Sequence, residues 1–213
     1  MPHAPDRFFI RRGLVLALAA SAAAPALAAG PAPVVTILGD SITAGLGLPA
    51  AAALPAQLGL ALAHIGVPAT VRGAGVSGDT SGDGLARLDF SVQPDTAVCL
   101  VALGGNDLLQ GVDPATTRAN LTAIVRRLKA RRIGVVLTGQ TAPRAVGAGY
   151  ARDFAAVFTG VAQAEHVALY PDLLAGVGRG LRQADGLHPN AAGVKVIVAS
   201  LAPLVARALK ARR

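Results

Sequence analysis

Tryptophan is absent from this chain and cysteine occurs once, at Cys99. A lone cysteine rules out an intrachain disulfide. Its place inside Ala97-Val98-Cys99-Leu100-Val101 suits a small buried hydrophobe better than a reactive thiol. Aromatic residues make up only 3% of the sequence while 53% is hydrophobic, so the core has to be built from Ala, Val and other small aliphatic side chains. That apolar content is ample for a core and excludes a disordered chain. Acidic residues are also few, 12 against 20 Lys and Arg, for a formal charge of +8. A nucleic-acid partner would call for aromatics interleaved with those cations or for a known module, and neither is present. Long hydrophobic runs are missing too. The most apolar stretch, Gly13 to Ala24, falls short of the roughly 18 residues of a membrane span and is followed by Pro25.

That stretch has the form of an export signal. Phe8-Phe9-Ile10-Arg11-Arg12 supplies a basic start, Gly13 to Ala24 the apolar middle and Pro25-Ala26-Leu27-Ala28-Ala29 an Ala-x-Ala end. The expected division is a cleavable signal over residues 1–29 and a single domain over residues 30–213, in a periplasmic or secreted bacterial protein. The Arg11-Arg12 pair also permits a twin-arginine signal, which Gly13-Leu14-Val15 matches loosely. Setting aside Asp6, Arg7, Arg11 and Arg12 brings the formal charge from +8 to +6. The remaining cations concentrate in Arg126 to Arg132 and Arg207 to Arg213, at the ends of expected helices, where they oppose the C-terminal dipole favourably. Solvated helix ends account for them, with weak attraction to an anionic membrane surface compatible.

Along the rest of the chain, five short apolar runs alternate with helical stretches: Val34–Leu38, Ala69–Arg72, Ala97–Leu103, Gly134–Thr138 and Val167–Tyr170. Near-continuous Val, Ile and Leu without polar alternation suits parallel strands covered on both faces. The helices between and after them are Ala51–Ile65, Thr116–Lys129, Tyr150–Ala164 and Ala191–Ala211. The pattern predicts one doubly wound α/β domain with a five-stranded parallel sheet, in which function collects at the carboxyl ends of the strands.

Those ends carry polar, glycine-containing segments. They are Gly39-Asp40-Ser41, Gly73-Ala74-Gly75-Val76-Ser77-Gly78-Asp79-Thr80, Gly104-Gly105-Asn106-Asp107 and, before the last helix, Asp185-Gly186-Leu187-His188-Pro189-Asn190. A parallel sheet brings such segments to one rim, and together they hold the parts of acyl transfer. Ser41 can be the nucleophile, although a Ser before a helix is by default a cap. His188 can be its base, and Asp185 can reach one imidazole nitrogen and set the tautomer. The backbone N–H of Ser41 and of Gly78, with the Asn106 amide, can form the oxyanion hole. Asp40 and Asp107 are expected to bind backbone amides in their turns and brace the site, and Asp79 has the same default. His64 is expected to face a helix C-terminus, and His166 to open a strand. The candidate histidines lack a partner at ligand spacing, so no metal is expected.

In block order and separation, Gly39-Asp40-Ser41, Gly78, Gly104-Gly105-Asn106-Asp107 and Asp185-x-x-His188 resemble the four blocks of the SGNH (GDSL-type) hydrolase family. Val76-Ser77-Gly78-Asp79-Thr80-Ser81 and Gly84-Leu85-Ala86-Arg87-Leu88 extend the likeness toward its arylesterase, acyl-CoA thioesterase and lysophospholipase branch. The resemblance implies a three-layer α/β/α flavodoxin-like fold, no metal or cofactor, and small-molecule acyl esters, thioesters or lysophospholipids as substrates. It places the acyl side of the cleft near Thr138–Phe154, where Gln140, Pro143, Tyr150 and Phe154 are retained and Ala145 to Gly149 is small. Leu108, Pro143 and Tyr150 are the candidate acyl-pocket residues.

Three other readings compete. Gly73-Ala74-Gly75-Val76-Ser77-Gly78 matches the G-x-G-x-x-G dinucleotide fingerprint, with Asp95 beyond it, but follows the second strand where the fingerprint belongs to the first. The same fold could serve as a non-catalytic surface binding module. It could also act on O-acetylated glycans of the envelope.

Overall fold

A computed structural model describes residues 31–142 and 144–212, together with Met1 and His3. Apart from Met1 and His3, the expected signal therefore lies outside the described residues. The chain runs β1 (Val34–Gly39), α1 (Ser41–Ala44), α2 (Leu54–His64), β2 (Thr70–Gly75), α3 (Ser81–Ala86), α4 (Leu88–Ser91), β3 (Thr96–Ala102), α5 (Gly105–Gln110), α6 (Pro114–Ala130), β4 (Gly134–Thr138), α7 (Ala148–Glu165), β5 (Ala168–Tyr170) and α8 (Ala191–Lys210). All five strands are parallel, in the order β2-β1-β3-β4-β5. This is the flavodoxin-like order, whose switch point falls between β1 and β3.

Strand alternation sorts the core into two layers. Val35 and Ile37 of β1, Val98, Leu100 and Ala102 of β3, and Val136 of β4 pack with α2 and α8. Leu38, Cys99, Val101, Val135 and Leu137 point the other way and pack with α6 and α7. Period-two alternation puts successive side chains on opposite faces, and both faces are apolar because helices cover both. Cys99 is fully buried there, its thiol pushed up to about 12 by loss of solvation. Each long helix offers a matching stripe: Leu54, Leu58 and Leu62 on α2, and Leu121, Ile124, Val125 and Leu128 on α6. Helix α8 is long and apolar enough to cross a membrane by composition, yet Val194, Ile197, Leu201, Val205 and Leu209 are buried against the sheet. Its Pro203 is exposed, so the Ala199 carbonyl that loses an N–H partner faces solvent.

The expected basic run on α6 is more than solvated. Arg126 and Lys129 pair with Glu165 at 2.7 and 3.4 Å, and Arg131 with Asp89 at 3.4 Å. His64 closes α2 as expected. His166 does not open a strand: it adopts φ 52° and ends α7, and β5 begins at Ala168. Three short helices, α3, α4 and α5, fall in segments the sequence leaves as loops. Each spans four to six residues, too few for an apolar period to register. A cap marks α3 nonetheless. Thr80 accepts from Asp83 N–H while the Asp83 carboxylate accepts from Thr80 N–H, a reciprocal cap legible as Thr-x-x-Asp.

Candidate active site

The cleft lies at the carboxyl ends of the strands, around the switch point. It encloses about 510 Å³ and takes in Asp40, Ser41, Gly78, Asn106, Gln140 and His188. Strand β1 ends at Gly39, and Asp40 caps α1 by accepting from Ile42 N–H at 3.0 Å. The capping role thus falls to Asp40, and Ser41 is the first helical residue with its hydroxyl free for another partner. That partner is His188, whose Nε2 stands 2.7 Å from Ser41 Oγ. On the other side of the ring, Nδ1 is 2.6 Å from Asp185 Oδ2. Asp185 also accepts from the N–H groups of Leu187 and His188, at 2.9 and 3.0 Å. The bond from His188 comes first and these two N–H groups second in holding its carboxyl down at about 2. An ionised carboxylate only accepts, so Nδ1 carries the proton and Nε2 presents a lone pair to the serine hydroxyl.

Glycine is required at position 78 for conformation rather than space. Its φ is +91°, while a Cβ there would meet nothing within 4 Å. Among the described residues, neither Ser41 N–H nor Gly78 N–H is donated to an acceptor within the chain, and both residues line the cleft. Asn106 Nδ2 donates to the Asp79 carbonyl at 2.9 Å, fixing the amide while leaving its second hydrogen for a ligand. Asp107 is fully buried and braces the same junction by accepting from Ser81 N–H, Ser81 Oγ and Thr117 Oγ1.

Asp40 is 3% exposed, and burial pushes its carboxyl up to about 6 against the opposing pull of Ile42 N–H and His188. The folded value lies above the ordinary 3.8, so the folded chain holds a proton the unfolded chain has released. The resulting stability is complete below about pH 4 and lost as pH rises through about 6. Asp40→Asn, which keeps an acceptor for Ile42 N–H, removes this dependence. Relative to wild type its unfolding free energy should rise by up to about 3 kcal/mol between pH 4 and pH 7. Urea denaturation at the two pH values checks it, and a pH-independent difference would contradict it.

The acyl-side candidates separate. Leu108 lines the cleft with Ile42, Leu46, Leu109, Leu174 and Leu187, so its apolar walls are aliphatic. Tyr150 does not line it. Its hydroxyl donates to the Val112 carbonyl at 2.8 Å and its ring stacks on Phe154 at 5.7 Å. Pro143 lies outside the described residues. Gln140 lines the cleft and is 8% exposed, and its Nε2 is buried without a partner among the described residues.

The glycine fingerprint has a different purpose here. Gly73 and Gly75 lie within edge strand β2, not in a strand-to-helix turn. A Cβ on Gly75 would come within 2.3 Å of Ala44 N, so glycine lets β2 pass close beneath α1. Asp95 is engaged with Arg72 at 2.9 Å, and the following α3 N-terminus is already capped. These contacts overturn the dinucleotide reading.

Two residues near the site were not anticipated from sequence. Gln183 Nε2 donates to the carbonyls of Leu46 and Pro189, bridging the turn after α1 to the His188 loop. Arg87 reaches Asp79 and the end of β1. Neither carries a spacing signal, because their partners are mostly backbone carbonyls brought near by the fold.

Comparison with known proteins agrees with this architecture. Residues 37–196 match the GDSL-like Lipase/Acylhydrolase family. Esterase TesA of Pseudomonas aeruginosa is 40% identical over 156 residues, covering 72% of this chain and 78% of that one. Thioesterase 1/protease 1/lysophospholipase L1 of Escherichia coli strain K12 is 37% identical over 157 residues, covering 72% and 74%. Among solved structures, AlinE4, an SGNH-hydrolase family esterase, superimposes with a TM-score of 0.72 at 40% identity, covering 85% of this chain and 98% of that one.

Proposed function

Because the chain belongs to the GDSL-like lipase/acylhydrolase family, we propose that its Ser41, His188 and Asp185 carry the ester hydrolysis that defines it. The protein is a serine esterase of the SGNH type acting on small-molecule esters, not a non-catalytic binding module. Ser41 Oγ attacks the carbonyl carbon while His188 Nε2 takes its proton. Asp185 holds the imidazole tautomer and balances the imidazolium. The negative charge on the tetrahedral oxygen is received by Ser41 N–H, Gly78 N–H and the Asn106 amide. His188 then returns the proton to the leaving oxygen or sulfur, and water cleaves the acyl-enzyme with the same groups in reverse.

The observation that carries this reading is the unbroken chain from Ser41 Oγ through both imidazole nitrogens to Asp185, at 2.7 and 2.6 Å, with Ser41 and His188 lining the cleft. For substrate, the leucine-lined walls favour an aliphatic acyl chain over the hydroxyl-studded ring of an O-acetylated sugar. Carboxylic esters, thioesters and lysophospholipids are the class we assign. Residues 1–29 are read as a cleaved signal and residues 30–213 as the mature domain of a periplasmic enzyme. The test is hydrolysis of p-nitrophenyl acetate, butyrate and octanoate, with a fluorophosphonate adduct mapped by mass spectrometry. An adduct on a residue other than Ser41 would refute the assignment.

Asn106→Ala probes the oxyanion hole. It should cost about 10²–10³ in kcat, with KM little changed, because the lost hydrogen bond strengthens only as charge develops. Steady-state kinetics on p-nitrophenyl butyrate reads it, and a change confined to KM would remove Asn106 from that role.

A further inference from the structure

Arg87 lies between α3 and α4, outside the cleft lining, and its side chain is only 20% exposed. It has four acceptors. Nε donates to Asp79 Oδ2 at 2.5 Å, Nη1 to the Ala74 carbonyl at 3.0 Å and Ser91 Oγ at 2.9 Å, and Nη2 to the Gly39 carbonyl at 2.8 Å. Two of those acceptors are main-chain groups near the ends of β1 and β2, and the first is the carboxylate of the residue after Gly78. A charged group this enclosed is costly unless its donors are matched, and here the planar fork spreads over three chain segments.

What the guanidinium joins is more specific than a loop. Gly39 is followed by Asp40 and Ser41, so its carbonyl fixes where the nucleophile's helix begins. Asp79 is held by Arg87 at its carboxylate and holds Asn106 at its carbonyl. Asp79 is thus anchored twice, by side chain and by carbonyl, directly after Gly78 with its positive φ.

We infer that Arg87 is a positioning residue for the oxyanion site, its guanidinium setting the Gly78-Asp79 turn, and through the Asp79 carbonyl the Asn106 amide, relative to Ser41. It touches no substrate atom. Its effect reaches the reaction through donors that must stand within a few tenths of an ångström of where the oxyanion forms. The inference rests on the assignment of Gly78 and Asn106 as those donors.

The test is a double-mutant cycle between Arg87→Lys and Asn106→Ala. Lysine keeps the positive charge but cannot span four acceptors. Arg87→Lys should lower kcat for p-nitrophenyl butyrate by about 10- to 100-fold, with KM within about threefold, since small misplacements of catalytic groups cost rates of that order. In the Asn106→Ala background the same substitution should cost several-fold less than in the wild type, because one of the two donors it aligns is gone. Equal losses in both backgrounds would overturn the inference and leave the oxyanion assignment standing. An unchanged kcat in Asn106→Ala alone would bring down that assignment and the inference with it. Should Arg87→Lys fail to fold, Asp79→Asn breaks the pair from its other end, and its cycle with Asn106→Ala carries the same expectations.

Discussion

Ser41→Ala should reduce kcat for p-nitrophenyl esters by about 10⁶-fold while leaving the fold intact. The size follows from mechanism. Without Oγ, His188 has no hydroxyl to deprotonate, and hydrolysis must recruit water directly. The donors around the cleft still favour the tetrahedral state, so a residual rate of roughly 10³–10⁴ over the uncatalysed reaction should persist. The fold survives because Asp40, not Ser41, caps α1 through Ile42 N–H, and alanine is a strong helix former at the first helical position. Three readouts check this together: hydrolysis of the acetate, butyrate and octanoate esters, loss of the fluorophosphonate adduct, and an unchanged circular dichroism melt. Wild-type turnover in the purified variant would remove Ser41 from the chemistry.

Asp185→Asn should cost about 10⁴ in kcat with KM nearly constant. Asp185 is a pure acceptor for three hydrogens, from His188 Nδ1 and from the N–H groups of Leu187 and His188. An asparagine can keep the backbone bonds through its carbonyl and turn its NH₂ toward Nδ1. The ring proton then moves to Nε2, which would donate to Ser41 Oγ instead of accepting from it. The imidazolium formed during attack also loses its counter-charge. The Asp185 side chain is 42% exposed, so no buried charge is stranded and the fold should be preserved. Burst kinetics separate the outcomes. A defect in acylation is expected, and a variant that acylates normally would show that His188 does not depend on Asp185 for its tautomer.

Much of this was legible along the chain because it is local. Val35 and Ile37 alternate with Leu38, Leu54 recurs at Leu58 and Leu62, and polar segments punctuate the strand ends. Periodicity of that kind survives in one dimension. The short helices were not legible, since Gly105–Gln110 and Leu88–Ser91 are too brief to show a stripe and are held by tertiary contacts. Tyr150 shows the limit from the other side. Its position in the sequence suggested the acyl wall, but the Val112 carbonyl offered its hydroxyl a partner and Phe154 offered its ring a face. Glycines 73 and 75 mislead in the same way, because a fingerprint records spacing and not whether a turn or a strand contains it.

The sequence by itself determined the fold class, the strand-end positions of Ser41, Gly78 and Asn106, and the nomination of Asp185 and His188, because apolar period and polar punctuation follow directly from residue order. Only the tertiary structure decided that Asp40 takes the cap and leaves the Ser41 hydroxyl to His188. It alone brought Leu46, Leu108 and Leu187 to one cleft and gave Arg87 its four acceptors. Those outcomes depend on the sheet order β2-β1-β3-β4-β5, which brings residue 41 beside residue 188 across 147 positions of chain. Hydrogen bonds are directional and act over about 3 Å, so they register only once such separations have collapsed.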